Sequence, residues 1–334
     1  MYTTLPSGYR RVRLILFEST KPYRPLTTRS YLFLGLGYAF NLALNNVFAA
    51  NMANSTVILG AAHGSYGIGG IVGPIVATAM VSRGIVWSRF FLIILGIRVV
   101  VFFFAWWSNK GYEAEMATRF SAGLQRIASL QRADAGEPSQ FQLLLRALKN
   151  RTTIIGALFI FAYQGAEVSI SGWVISYLIA ARGGDPKAVG YVTAGFWGGI
   201  TLGRFVLSHL APRVGEKLFV SILMLATIGF QLLVWLIPNI IAEAVAVSIL
   251  GLLLGPIYPC SQTIFTRLLP SKIQMTSISF ISSAGSSGGA IVPLIVGLLS
   301  AAFGTYVLHP TCIAAYAVMI GCWFFLPQVA KPME

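Results

Sequence analysis

The sequence predicts an all-α transmembrane helical bundle, and three observations predict it. Hydrophobic residues make up 56% of the chain and charged residues only 10%, whereas a soluble domain has about a quarter of its residues charged. The apolar residues come in runs long enough for helices that cross a hydrocarbon core about 30 Å thick, which takes roughly 20 residues each. Within those runs polar and apolar residues do not alternate, as they would in the wall of a membrane barrel.

The same composition excludes other classes. The net charge is +14, but the 24 Lys and Arg are scattered between apolar runs and form no stripe for nucleic acid. Cys260, Cys312 and Cys322 all lie in apolar runs, with neither a disulfide framework nor a metal spacing. The three histidines are far apart and fit no metal motif. No nucleophile–base pair, phosphate loop or paired carboxylate is present, so neither enzyme chemistry nor a cofactor is expected. The Gly-rich runs sit inside apolar helices, not at strand-to-helix turns, which disfavours nucleotide binding. The expectation is a multi-pass integral membrane protein, monomeric, with the lipid bilayer as its immediate partner.

Residues 1–30 form a basic N-terminal segment, expected to be poorly ordered, with Arg10, Arg11, Arg13, Lys21, Arg24 and Arg29 against Glu18. Nine spans follow, at about 31–50, 57–81, 87–107, 154–180, 188–208, 218–237, 240–262, 275–301 and 304–326. Turn residues and charge separate them, as in GGDPK at 183–187 and LLPSK at 268–272. Residues 31–107 hold three spans, 108–151 a central loop, 152–328 six spans and 329–334 a tail. The central loop carries Lys110, Arg119, Arg126, Arg132, Arg146, Lys149 and Arg151 against four acids, which places it in the cytoplasm. The loops holding Arg213 with Lys217 and Arg267 with Lys272 then fall inside too. Those near 238–239 and 302–304 lack Lys and Arg and fall outside. Counting backwards puts the basic residues 1–30 outside, against the charge rule.

An internal repeat accounts for that conflict. Gly69-Gly70 stands four and five residues before Pro74, and Gly288-Gly289 stands likewise before Pro293. The offset of 219 carries the first span onto the seventh and the third onto the ninth. Spans one to three therefore repeat spans seven to nine. The expected plan is a twelve-span design of two six-helix halves with its first three helices missing. Small residues four apart let membrane helices approach closely. Gly195, Gly199 and Gly203 lie in the fifth span, Gly69 and Gly73 in the second, and Gly285 and Gly289 in the eighth. Their concentration predicts one close-contact helix per three-helix unit, as a rocking interface between halves requires; generic packing is the alternative.

Five segments, HGSYGIGG (63–70), YQGAEVSISGW (163–173), GFWGGITLGR (195–204), GPIYP (255–259) and SSAGSSGGAIVP (282–293), carry a family likeness. Together they resemble the major facilitator superfamily, in its fucose-permease-like branch and fungal bypass-of-stop-codon type, over about 31–327. RVGEK at 213–217 resembles a degenerate copy of that superfamily's basic loop motif. The resemblance implies a major-facilitator-type bundle whose nine spans are helices 4–12 of 12. It also implies secondary active transport of a small solute, sugar-like and coupled to protons, by alternating access. The chain departs from the family at three points: the first three helices are expected to be absent, residues 41–46 read NLALNN without an acid, and Arg98 sits mid-span. The other functional reading is a non-transporting membrane scaffold or sensor derived from a truncated transporter.

Glu167 is the sharpest candidate for coupling, with Tyr163 one turn before and Ser171 one turn after. A carboxylate inside a membrane is costly and is a functional candidate by default; the alternative is a neutral, hydrogen-bonded structural acid. Tyr163, Gln164 and Trp173 suit a sugar-like solute, offering aromatic faces to a ring and an amide to hydroxyls; core stacking is the alternative. Asn41, Asn45 and Asn46 are polar in a cavity-lining span. Arg204 ends the fifth span and, with Arg213 and Lys217, is expected to gate or pin the cytoplasmic side, unless it only snorkels. Arg98 reads as a tolerated oddity and His63 as a packing histidine. Pro256 and Pro259 are expected to bend the seventh span, and Ser282, Ser283, Ser286 and Ser287 to serve packing. The glycosylation sequons at Asn54 and Asn150 both fall inside and are expected to stay unmodified.

Overall fold

A computed structural model describes residues 55–108, 110 and 139–327. The segment 1–30, the first expected span with Asn41, Asn45 and Asn46, most of the central loop and the tail lie outside the described residues. The chain divides into two compact units, residues 1–63 and 64–334; of the first, only the start of one helix is described. Every α-helix, 3-10 turn and connection among the described residues is free of strand. Six segments are long and apolar enough to cross a membrane: Trp87–Ser108, Arg151–Arg182, Glu216–Leu236, Ile240–Leu268, Lys272–Phe303 and Thr305–Phe325. The protein is an all-α, multi-pass integral membrane protein.

The helices are α1 (Ser55–Ser82), α2 (Phe90–Ser108), α3 (Gln140–Lys149), α4 (Arg151–Arg182), α5 (Gly190–Val206), α6 (Ala211–Val214), α7 (Glu216–Leu236), α8 (Ile240–Leu254), α9 (Ile257–Leu268), α10 (Ser271–Phe303) and α11 (Leu308–Phe325). The expected span at 188–208 folds as α5, which at 17 residues is shorter than the six. The helix boundaries follow the repeat. Adding 219 to α1 gives 274–301, within α10, and adding it to α2 gives 309–327, on α11. Pro74 and Pro293 both lie inside their helices.

Helix α2 has no buried residue. It is apolar all round, which fits a helix surrounded by hydrocarbon, and Arg98 on it is exposed. Helix α3 forms inside the expected central loop. Ser139 caps it, with its hydroxyl accepting from Gln142 N and the Gln142 side chain accepting from Ser139 N, the reciprocal pattern that starts a helix.

Helix α4 is the centre of the bundle. Phe159, Tyr163, Ala166, Ile170, Val174 and Tyr177 recur three or four residues apart and are all buried, as one face of a 3.6-residue period should be. Cys312, Tyr316, Met319 and Trp323 on α11 keep the same rhythm and are also buried. Phe159 meets Trp323 with ring centroids 5.1 Å apart and Phe265 of α9 at 5.9 Å. Helix α10 packs most extensively of all against α4. A side chain at Gly288 would collide with the Phe161 carbonyl, one at Gly285 with Ile160 and Gln164, and one at Gly165 with Val292. Small residues here let two backbones touch.

The glycines of α5 serve a different contact from the one expected. Gly195, Gly199 and Gly203 face α8, where side chains would strike Ser248 and Leu252, and Gly251 and Gly255 face back onto Phe196 and Ile200. This is packing within the six-span portion, not a face between halves. Helix α1 meets α5 elsewhere: Gly67 faces Thr201, Gly70 faces Trp197, and Tyr66 sets its ring edge-on to Trp197 at 5.6 Å. Nothing lies within 4 Å of a Cβ built at Gly69 or Gly73, because the contact surface is one step round the helix.

One end of the bundle collects cations. Arg151 Nη2 donates to the Phe325 carbonyl at 3.4 Å and Lys217 Nζ to that of Leu326 at 2.7 Å. Both positive groups cap the C-terminal end of α11, where the helix dipole is negative. Trp323 Nε1 donates to the Lys217 carbonyl at 3.0 Å, and Arg267 Nη1 pairs with Glu216 Oε1 at 2.8 Å. Gly215, at φ 95°, makes the turn from α6 into α7 that brings Glu216 and Lys217 here; an L side chain at that angle would be strained. Asn150 belongs to this end too. Its Oδ1 accepts from Thr153 N and caps α4. Expressed in cells, Asn150 is expected to carry no glycan, read as an unchanged gel mobility after deglycosylase treatment. A shift that Asn150→Gln abolishes would reverse the orientation.

Candidate functional site

The site starts from a defect in a helix. Pro259 has no N–H, so the Gly255 carbonyl four residues earlier lacks its helical donor. Together with Pro256 this splits the seventh expected span into α8 and α9. Side chains from neighbouring helices use the carbonyls at the break. Arg204 Nε of α5 donates to Gly255 O at 3.4 Å, and the Tyr163 hydroxyl of α4 donates to Leu254 O at 3.1 Å.

Glu167 lies one turn beyond Tyr163 and is 5% exposed. Arg204 Nη2 is 3.9 Å from Glu167 Oε2, and that oxygen accepts no hydrogen bond among the described residues. The pair is at the outer limit of contact. A buried oxygen without a hydrogen bond costs about 1–3 kcal/mol. Tyr258 of α9 tilts its ring against Tyr163 at 5.9 Å. The arrangement places one acid, one base and two tyrosines at a junction of three helices.

The expected site residues are only partly brought together. Glu167, Tyr163 and Arg204 form one cluster, and Arg204 reaches inward to the acid from near the end of α5. Gln164 lies beside it, half-buried over Gly285 of α10. Trp173 is further along α4, where its Nε1 donates to the Pro293 carbonyl at 3.1 Å and its ring covers Gly297; its polar atom is engaged in joining two helices. Arg213 is exposed on α6, while Lys217 is tied to Leu326. Ser286 and Ser287 bond the carbonyls of Ser282 and Ser283 on their own helix and, with Ser283, form an exposed polar stripe on α10.

Sequence reasoning missed a second buried pair, Arg182 with Glu243, at 2.5 Å. Glu243 carries the signal that exposed Glu167, an acid inside an apolar run. Its partner, Arg182, lies 61 residues away at the C-terminal end of α4, just before the GGDPK turn.

The comparisons with known proteins agree with this architecture. The model of the Major Facilitator Superfamily matches residues 166–333. Bypass of stop codon protein 6 of Saccharomyces cerevisiae is 26% identical over 322 residues, covering 90% of this chain and 64% of the yeast protein. A glucose/galactose transporter of Brucella abortus is 32% identical over 195 residues, 52% of this chain and 43% of its own. A 4-hydroxybenzoate transporter of Acinetobacter baylyi is 26% identical over 220 residues, 65% of this chain and 46% of its own. The chain spans less than two thirds of the length of each.

Proposed function

The chain belongs to the Major Facilitator Superfamily, and from that premise we propose that it works as a secondary carrier, moving a small sugar-like solute with a proton by alternating access. Residues 152–328 are then the C-terminal half and 31–107 three spans of the other half. The observation that carries this reading is the loose Glu167–Arg204 pair, buried and lacking a hydrogen bond on Oε2. Protonating Glu167 removes its hold on Arg204, and the guanidinium keeps the Gly255 carbonyl. Losing the proton draws α4 and α5 together again. The proton thus has different affinities for two arrangements of the helices, which is what coupling requires.

Gln164, half-buried beside the pair, supports the reading with an amide for a solute's hydroxyls, whereas Tyr163 is fully buried with its hydroxyl on the Leu254 carbonyl. The serine stripe on α10 supports a wetted path, because polar faces inside membranes turn to protein or to water-filled cavities. The glucose/galactose relative supports a sugar, and the 4-hydroxybenzoate relative supplies the competing class, an aromatic carboxylate that Arg204 would attract.

The test is uptake of labelled galactose by membrane vesicles containing the protein, under an imposed proton gradient. Native protein is expected to accumulate the label above equilibrium. Glu167→Gln is expected to lose accumulation yet still exchange labelled for unlabelled galactose. Undiminished accumulation by Glu167→Gln removes the coupling role. Uptake of 4-hydroxybenzoate in place of galactose removes the sugar.

A further inference from the structure

A second polar cluster lies at the end of the bundle opposite Arg151 and Lys217. At its centre is Arg182, the last residue of α4, where Gly183 turns the chain at φ 69°. Arg182 Nε is 2.5 Å from Glu243 Oε1 of α8, and Nη2 donates to the Trp235 carbonyl of α7 at 2.8 Å. The guanidinium sits 5.3 Å from the centre of the Tyr177 ring. That ring meets His309 of α11 edge to face, with centroids 4.3 Å apart.

His309 is oriented from its other side. The Tyr316 hydroxyl donates to Gln231 Oε1 at 3.4 Å, which turns the Gln231 NH2 toward the imidazole. Gln231 Nε2 is 2.7 Å from His309 Nδ1. Nδ1 therefore accepts, and the proton of the neutral ring is on Nε2.

Three atoms of this cluster have no hydrogen-bond partner among the described residues: Tyr177 Oη, Glu243 Oε2 and His309 Nε2. Their residues are 0%, 0% and 1% exposed. One atom accepts, one donates and the hydroxyl does both. Native interiors leave few polar groups unpaired, and here three belong to one chain of contacts, Glu243 and Tyr177 on the guanidinium and His309 on the Tyr177 ring. Charge decides what they bind. Arg182 already compensates Glu243, so a cation finds no surplus negative charge and an anion meets the carboxylate. A neutral molecule that donates and accepts fits, and a buried water typically makes about three hydrogen bonds.

We propose that Tyr177, Glu243 and His309 bind one internal water that completes the Arg182 clamp. The water accepts from His309 Nε2–H, donates to Glu243 Oε2 and shares its remaining bond with the Tyr177 hydroxyl. It ties α11 by hydrogen bonds to a clamp that otherwise holds α4, α7 and α8. The ends of four helices then move as one block. This inference is independent of the solute and of proton coupling.

The test is an experimental density map of the full chain in lipid nanodiscs, at a resolution where ordered water is visible. The expected result is a single peak within hydrogen-bond distance of all three atoms. The peak should vanish in His309→Phe, which keeps the ring contact with Tyr177 and removes the donor. A native map in which the three atoms pair directly with one another, with no peak, overturns the proposal. So does a peak unchanged in His309→Phe. If that variant does not fold, the native map decides alone.

Discussion

Arg182→Ala is expected to destabilise the protein by about 3–5 kcal/mol, the usual cost of removing one partner from a buried ion pair. Glu243 is fully buried, and the Arg182 side chain is 12% exposed. The substitution leaves a buried carboxylate without its counter-charge and takes the donor from the Trp235 carbonyl. The expected reading is a large fall in the thermal unfolding temperature of the purified protein in detergent. Arg182→Met combined with Glu243→Gln is expected to recover most of the loss, because desolvation of such a pair roughly offsets its attraction. Arg267→Ala is the control. Arg267 also pairs with a glutamate, but its side chain is 50% exposed, and exposed pairs are worth about 0–1 kcal/mol. Native-like melting of Arg182→Ala would remove the clamp from the account of stability.

The helices were legible in the sequence because hydrocarbon imposes a simple rule: every buried backbone group must bond within its own segment. Runs of about 20 apolar residues could therefore be read directly, and the runs at 57–81 and 275–301 lie within α1 and α10. Helix α3 was not anticipated, because QFQLLLRALK lies in a polar, basic stretch and its short amphipathic period was lost among charges.

The site was legible one residue at a time. Glu167 stood out as a lone acid in an apolar run, and Arg204 as a lone base near the end of another. That they face each other depends on how α4 and α5 cross, and on a carbonyl freed by Pro259, neither of which spacing along the chain encodes. The glycines show the same limit. Four-residue spacing identified α5 as a close-packing helix, yet the identity of its partner, α8, is a property of the tertiary arrangement. In α1 the spacing pointed to Gly69 and Gly73, while the close approach falls on Gly67 and Gly70.

Gly199→Val is expected to destabilise the protein by about 3 kcal/mol, the upper part of the range for forcing extra atoms into a packed interior. A Cβ at Gly199 would overlap the Ser248 carbonyl and lie 2.7 Å from Leu252 N. Both are backbone atoms of α8, which cannot rotate away as a side chain would. Relief requires the two helices to separate, and separation also breaks the contacts of Gly195, Gly203, Gly251 and Gly255 along the same seam. Gly198 is the internal control. It is the adjacent residue on α5, and nothing lies within 4 Å of its Cβ position. Gly198→Ala is therefore expected to be neutral or to stabilise by about 0.5–1 kcal/mol, since alanine suits a helix better than glycine. Thermal unfolding of the two variants in parallel reads the difference. Equal melting temperatures would mean that α5 and α8 do not meet backbone to backbone. Arg204 Nε and the Gly255 carbonyl sit at the end of this seam, so a wedge at Gly199 should also disturb the Glu167 cluster. Gly199→Val protein that remains folded is accordingly expected to lose uptake while Gly198→Ala keeps it.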